Sequence, residues 1–366
     1  MVSLNGKYNT LKIFTETFDN ETISQLINIL QQEFTKGLQI RIMPDCHPGK
    51  GCVIGTTMTI QDKIVPYLVG SDIGCGCLTV KLKDEHIDFE KLDKTIRAYV
   101  PHGASIHQKA IRSLAMLGDL IMPMNDIEKI EKGIGTLGGG NHFIEVDKNK
   151  DNELFLVIHT GSRLLGRTVC DYYQNKAVEI CKKNNISTPA DLAFVSKSDY
   201  LDSYLHDSDI AAYFAKINRE TIAAVILDKM GLSEDSSFDT VHNYIDTKNY
   251  ILRKGAVSAE KGQKLIIPIT MADGALICIG KGNPDWNFSA PHGAGRLIPR
   301  SIAKECLSLD DYKKSMEGIY TTSVKQSTID ESPMVYRHIF DITSNITDTV
   351  SIIDTLKPVY NFKSSK

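Results

Sequence analysis

The chain predicts an α+β fold with mixed sheets, built as one compact unit. Three observations carry this reading. β-like runs crowd the N-terminal third, long helical patterns come later, and the two do not alternate in a βαβ rhythm. No Pro/Gly/Ser-rich linker divides the 366 residues, so one domain over residues 1–366 is preferred to the two that length alone allows. In order, Ile23, Leu26, Ile27, Leu30 and Phe34 lie at helical spacing, with Asn20 as expected N-cap and Gly37 as stop. Leu38 to Met43 alternates apolar residues with Gln and Arg, which reads as a strand. Residues 52–60, 154–159 and 264–271 are further β-like runs. The stretch 183–205 is polar and mixed and predicts an irregular surface segment. Residues 208–230 and 301–317 predict helices.

Hydrophobic residues make up 42% and charged residues 24%, the balance of an ordinary soluble protein able to bury a large core. No apolar run approaches the roughly 20 residues a membrane span needs. Met1 to Thr10 lacks the pattern of an export signal, so a cytoplasmic protein with no membrane partner is expected. In that setting the eight cysteines predict buried thiols rather than disulfides; Cys75 and Cys77 stand apart because glycines surround them. A net charge of −3 lacks the basic balance of a bulk nucleic-acid binder and leans mildly against nucleic acid, so any RNA would be held by a local patch.

The informative feature is where glycine falls. Five segments join it to metal-binding or phosphate-binding residue types: Met43-Pro-Asp-Cys-His-Pro-Gly-Lys-Gly51, Val69-Gly-Ser-Asp-Ile-Gly-Cys-Gly-Cys77, Gly135-Thr-Leu-Gly-Gly-Gly-Asn-His-Phe-Ile-Glu145, His159-Thr-Gly-Ser-Arg163 and Ala290-Pro-His-Gly-Ala-Gly-Arg296. Glycine weakens regular structure but lets a ligand approach the main chain. Five such turns, each with a His, Asp or Cys, point to one shared site.

Asp72 and Cys75 lie three apart in a tight loop. His142 follows three glycines, His159 ends an apolar run, and His242 lies in the β-like Thr240-Val-His-Asn-Tyr. A carboxylate, a thiolate and three imidazoles suit divalent transition metals, and a thiolate can bridge two ions. Any one of these histidines alone is more often a satisfied core or surface residue; the glycine context and the Asp-x-x-Cys pair shift the balance. Ligand softness favours zinc or cobalt, whereas manganese usually takes oxygen-rich sites, so the donors alone leave the metal open. Gly135 to Asn141 can form an anion-binding nest but lacks the Gly-Lys-Ser/Thr end of a P-loop. His292, with glycine on either side of Ala294, can reach a phosphorus atom and act as a nucleophile, and Arg296 and Arg300 can neutralise phosphate.

Together and in this order, the five segments resemble the RtcB family of RNA ligases. The similarity extends to Tyr213–Arg219, Arg253–Ala256, Asp330-Glu-Ser-Pro333 and the C-terminal tail, which is nearly the whole chain. The resemblance implies a single RtcB-like domain with a deep cleft holding two Mn2+ ions, and GTP as cofactor. It implies joining of RNA with 2′,3′-cyclic phosphate or 3′-phosphate ends to 5′-hydroxyl ends through a guanylylated histidine, in RNA repair or tRNA splicing. Residue by residue, His292 resembles the nucleophile and Asp45 an acidic residue needed for activity. Asp72, Cys75, His142, His159 and His242 resemble the metal ligands, with Cys75 shared. Asn141, Phe143 and Glu145 resemble contacts to GTP: phosphate, base face and base edge in turn. Lys254, Thr270, Ala294, Gly295, Arg296, Tyr336 and Lys363 resemble further nucleotide contacts, and Arg163 and Arg300 binders of RNA phosphate. A monomer is expected.

Four features depart from the family pattern. The chain is shorter than many members. Ile269 to Gly274 replaces a serine-rich stretch, with Thr270 keeping one hydroxyl and Ala275 standing for a second. Lys363 is followed by Ser-Ser-Lys rather than glycine, and Cys77 stands where methionine is common. The rival enzyme is a metal-dependent cyclic phosphodiesterase without ligation; His292 argues against it, since hydrolysis needs no nucleotide-accepting histidine. A non-catalytic RNA-binding scaffold is disfavoured because every matched metal and nucleophile position is filled.

Overall fold

Central strand Leu154–Thr160 is buried along its whole length, which explains why it reads as a continuous apolar run. It lies inside a seven-stranded antiparallel sheet, one of two large sheets in the computed structural model, which describes residues 1–364. The strand order is Glu234–Val241, Gly76–Leu82, Leu154–Thr160, Phe143–Lys148, Val350–Lys363, Ala275–Gly280, Lys264–Pro268. One face packs Leu156 and Ile158 with Val80, Ile144 and Ile222; the other packs Phe155 and Val157 with Phe143, Ile277 and Leu356.

The second sheet has six strands in the order Val2–Asn5, Thr10–Ile13, Ile40–His47, Ile54–Thr59, Ile251–Lys254, Asn243–Asp246. Among the described strand pairs of this sheet, only Thr10–Ile13 and Ile40–His47 run parallel. The α+β expectation therefore holds, with the mixing confined to this sheet. Strand Glu234–Val241 of one sheet leads through a single residue, His242, into Asn243–Asp246 of the other.

The helices correct several boundaries. The first spans Asn20–Leu30 and is capped by Asp19, whose Oδ1 accepts from the Thr22 amide at 2.6 Å, rather than by Asn20. It ends at Leu30, and Gly37 lies beyond an intervening 3-10 turn, Glu33–Thr35. Residues 301–317 form two helices, Arg300–Cys306 and Leu309–Ser315, because the Ser308 hydroxyl accepts from the Asp310 and Asp311 amides and starts a second helix. The long helix begins at Leu201, inside the segment expected to be irregular, and runs to Met230. A 21-residue helix, Arg163–Lys183, packs against it where no element was expected.

The long helix ties the loops of the site together. Arg219, fully buried, donates to both carboxylate oxygens of Asp239 at 2.7 and 2.6 Å and to the carbonyls of Gly74 and Thr160 at 2.8 and 2.9 Å. Asn218 accepts from the Gly135 and Thr136 amides and donates to the Gly161 carbonyl. Three of the five glycine segments thus hang on two adjacent residues. Asp239→Ala leaves the Arg219 charge buried without its counter-ion and is expected to destabilise the protein by about 3–5 kcal/mol, read from urea unfolding. A change below about 1 kcal/mol would remove the pair from the fold's support.

Candidate active site

The metal-type residues meet because they occupy one end of the seven-stranded sheet. Cys75 immediately precedes Gly76–Leu82, His142 immediately precedes Phe143–Lys148, and His159 is the penultimate residue of the antiparallel strand between them. The register sets Cys77 and Phe143 opposite His159 from the two sides. His242, at the crossing between sheets, arrives from the adjacent edge, where its amide donates to the Cys75 carbonyl at 2.9 Å. Asp72 is drawn in by Ser162, whose amide donates to Asp72 Oδ1 at 3.0 Å. Gly161 makes room: a Cβ there would stand 2.2 Å from Asp72 Oδ1.

Two triads result, Asp72–Cys75–His142 and Cys75–His159–His242, each with its ligand atoms within 4.8 Å of one another. Cys75 belongs to both. Its Sγ lies 3.5 Å from His142 Nε2 and 3.4 Å from His159 Nε2. The Nδ1 atoms of His142 and His159 are engaged by the carbonyls of Leu137 and Asn141 at 2.8 and 3.1 Å, which fixes the protons there and turns the Nε2 lone pairs inward. His159 Nε2 and His242 Nε2 face each other at 3.1 Å. Burial, and then the charges of neighbouring histidines, push both of these imidazoles well below their ordinary range, so both are neutral. Burial, then the Asp72 charge, pushes the Cys75 thiol well above its own. Converging lone pairs around a shared sulfur fit two cations, whose charge reverses the thiol's preference.

His292 stands beside this cluster, its ring 4.8 Å from that of His242. It follows the short strand Ser289–Pro291 and is held by Asp45 from Ile40–His47. Asp45 Oδ2 accepts from His292 Nδ1 at 2.6 Å, from its amide at 3.1 Å and from the Gly293 amide at 3.3 Å. Nδ1 therefore carries the proton and Nε2 the lone pair. Gly295 lets this loop close on Asp45: its φ is +74°, and a Cβ would stand 2.1 Å from the Asp45 carbonyl oxygen. Near this pair, with ring centroids 6.5 Å apart, stands His47, which burial pushes down to about 4 and keeps neutral.

Two cavities meet at His292. The larger, about 470 Å³, is lined by Asn141, Phe143, Glu145, Thr270, Ala294, Gly295, Arg296, Arg300, Tyr336 and Lys363 among others. The smaller, about 210 Å³, is lined by Asp72, Cys75, His242 and Lys254. Asn141, Ile54 and His292 line both. In the larger cavity Glu331 gathers the cations: Lys363 Nζ donates to it at 2.9 Å, Arg296 Nη2 at 3.2 Å and the Tyr336 hydroxyl at 2.7 Å, with Arg300 paired to it as well. These charges hold the Glu331 carboxyl far below the usual carboxylate range despite its burial, which opposes them.

The profile of the family described as "tRNA-splicing ligase RtcB" matches residues 25–121 and 121–364. The RNA-splicing ligase RtcB of Escherichia coli K12 is 30% identical to this chain over 92% of both proteins. RtcB2 of E. coli ATCC 25922 is 26% identical over 88% of this chain and 87% of its own, and the tRNA-splicing ligase RtcB of Aeropyrum pernix 26% over 91% and 89%. The chain belongs to the RtcB family.

Most residues matched to RtcB motifs come together in the two cavities, and two do not follow their expected places. Lys254 faces the smaller cavity rather than the nucleotide-sized one; its Nζ donates to the carbonyls of Lys50 and Tyr67, and burial pushes its pKa down. Arg163 lines neither cavity. Its guanidinium is wrapped by the glycine-rich loop, bonding Thr136 Oγ1 at 3.2 Å and the Gly103 carbonyl at 3.1 Å. Thr270 lines the larger cavity with its hydroxyl spent on a turn with Asp273. Cys77 lines it too, as a buried thiol. Glu331, His47 and Asn361 were not anticipated. Glu331 and His47 had a signal, lying in Asp330-Glu-Ser-Pro333 and in the first glycine segment, but no chemistry was attached to either residue.

Proposed function

We propose that this protein is a GTP- and manganese-dependent RNA ligase that joins 2′,3′-cyclic phosphate or 3′-phosphate ends to 5′-hydroxyl ends through a histidine–GMP intermediate. The observation that carries this is the position of His292. It lies where a nucleotide-sized cavity meets the two-triad cluster, with Nδ1 engaged by Asp45 and Nε2 as nucleophile. Two Mn2+ ions held by Asp72, Cys75, His142, His159 and His242 would supply positive charge to the phosphoryl groups.

The chain's own residues do the rest. Phe143 offers a flat face to a base and Glu145 an acceptor edge. Arg296 and Arg300, already directed into the cavity by Glu331 and Asp330, offer donors to phosphate oxygens. Nε2 of His292 attacks the α-phosphorus of GTP; an N–P bond forms, and pyrophosphate leaves. Asp45 stabilises the positive charge that grows on the ring. A 3′-phosphate oxygen of the RNA then takes the GMP from His292. The 5′-hydroxyl of the second RNA attacks the activated phosphorus, GMP leaves, and a 3′,5′-phosphodiester remains. A cyclic phosphate first adds water to become the 3′-phosphate.

The test is a joining assay with end-labelled RNA. Ligated product that depends on GTP is expected; conversion of cyclic phosphate to 3′-phosphate with no joining would instead identify the phosphodiesterase. Glu145→Ala is expected to reduce the preference for GTP over ATP by about tenfold or more, because guanine presents the N1 and N2 donors that a carboxylate accepts and adenine does not. Competition between the two labelled nucleotides for the protein checks it, and an unchanged preference would remove Glu145 from base selection.

A further inference from the structure

Glu145 does not act on the cavity alone. Two residues along the same strand, on the same face, stands Asp147, fully buried between Phe155 and Pro358 of the neighbouring strands. Its carboxyl interacts with that of Glu145, and among the described residues neither of its oxygens finds a donor. Two carboxylates this close and this dry cannot both carry charge. A proton on one turns the contact into a hydrogen bond.

The surroundings decide which carboxyl keeps the proton. Burial pushes Glu145 up as well, to about 7, but it is pulled back by contacts that favour its charge: it accepts from Asn361 Nδ2 at 2.5 Å and feels the positive charge of Lys363. Asp147 has no such support; burial, and then the charge of Glu145, push its pKa well above the usual carboxylate range. Asp147 is absent from the lining of both cavities, whereas Glu145 lines the larger one, so Asp147 can affect a ligand only through Glu145.

We propose that Asp147 is a buried, protonated acid whose hydroxyl donates to Glu145 and holds it ionised, making Asp147 a positioning residue for guanine selection. This rests on the reading of the larger cavity as a GTP site. An ionised carboxylate has about four lone-pair positions. Asn361 and Asp147 fill two, and two remain for the N1–H and N2–H of guanine. Were the proton on Glu145 instead, that residue would present a donor to the base and could serve the acceptor N1 of adenine. Asp147 thereby sets the sign of the recognition edge.

The experiment measures guanylylation and adenylylation of the full chain with labelled GTP and ATP, in wild type, Asp147→Asn and Asp147→Leu. The asparagine keeps an N–H donor in place and is expected to keep the wild-type GTP-to-ATP ratio. The leucine fills the apolar surroundings but donates nothing; its ratio is expected to fall about tenfold or more, with the loss appearing in KM for GTP. A leucine variant that keeps the wild-type ratio overturns the proposal. So does an asparagine variant that loses selectivity, a result readable even if the leucine variant fails to fold. Wild type showing no preference for GTP would overturn the GTP-site reading itself, and this inference with it.

Discussion

Replacing Cys75 by alanine is expected to abolish RNA joining and to strip the protein of bound metal. One sulfur belongs to both triads, so its loss would remove a donor from each of the two proposed ions at once, and a methyl group offers nothing in exchange. The remaining ligands, His159 and His242 on one side and Asp72 and His142 on the other, leave two donors each. Metal content measured after gel filtration should drop from about two ions per chain to one or fewer, and joining should fall by at least about a hundredfold. Cys181→Ala is the matched control. Its thiol is also buried, but it belongs to neither triad and lines neither cavity. Full joining by Cys75→Ala in metal-buffered solution would remove the bridge. Equal rates with zinc alone would show that ligand softness, and not the family resemblance, names the metal.

His292→Ala should separate the reaction into its halves. Joining of 3′-phosphate ends is expected to fall by about 10^4-fold or more, as when a covalent nucleophile is deleted. An RNA whose 3′ end is already activated with GMP should still be joined, because the metal ligands, Arg296 and Arg300 remain. Arg296→Ala should slow both halves, since it offers charge to phosphate throughout. Loss of both reactions in His292→Ala would make the residue structural rather than nucleophilic.

Much of the site could be read from residue types because its chemistry lies at turns. Glycines beside Asp72, Cys75, His142 and His292 mark where the main chain folds back closely, and that signal is local. The α+β class was equally legible, since Leu154–Ile158 has no polar face to hide. What escaped depends on distance or on weak apolar contrast. The helix Arg163–Lys183 buries Leu165, Val169, Tyr173, Ala177 and Cys181 at a spacing of four, but Gly166, Gln174 and small residues share that face and blur it. Ser308 with two acidic residues after it is a local cap signal that divides residues 301–317 into two helices. Glu331 could not be found from neighbours in sequence, because Arg296, Tyr336 and Lys363 meet it only in the fold. Arg163 resembled a phosphate binder by motif, and the glycine-rich loop that wraps its guanidinium becomes visible only in three dimensions.

The central claim is that His292 carries GMP, and mass spectrometry tests it most directly. Protein incubated with GTP and Mn2+ in the absence of RNA is digested at neutral to basic pH, where a phosphoramidate survives. One GMP is expected on the peptide containing Ala290-Pro-His-Gly-Ala-Gly-Arg296, localised to His292 and released by acid. GMP on any other residue, or no adduct under conditions in which the same protein joins RNA, would contradict the account.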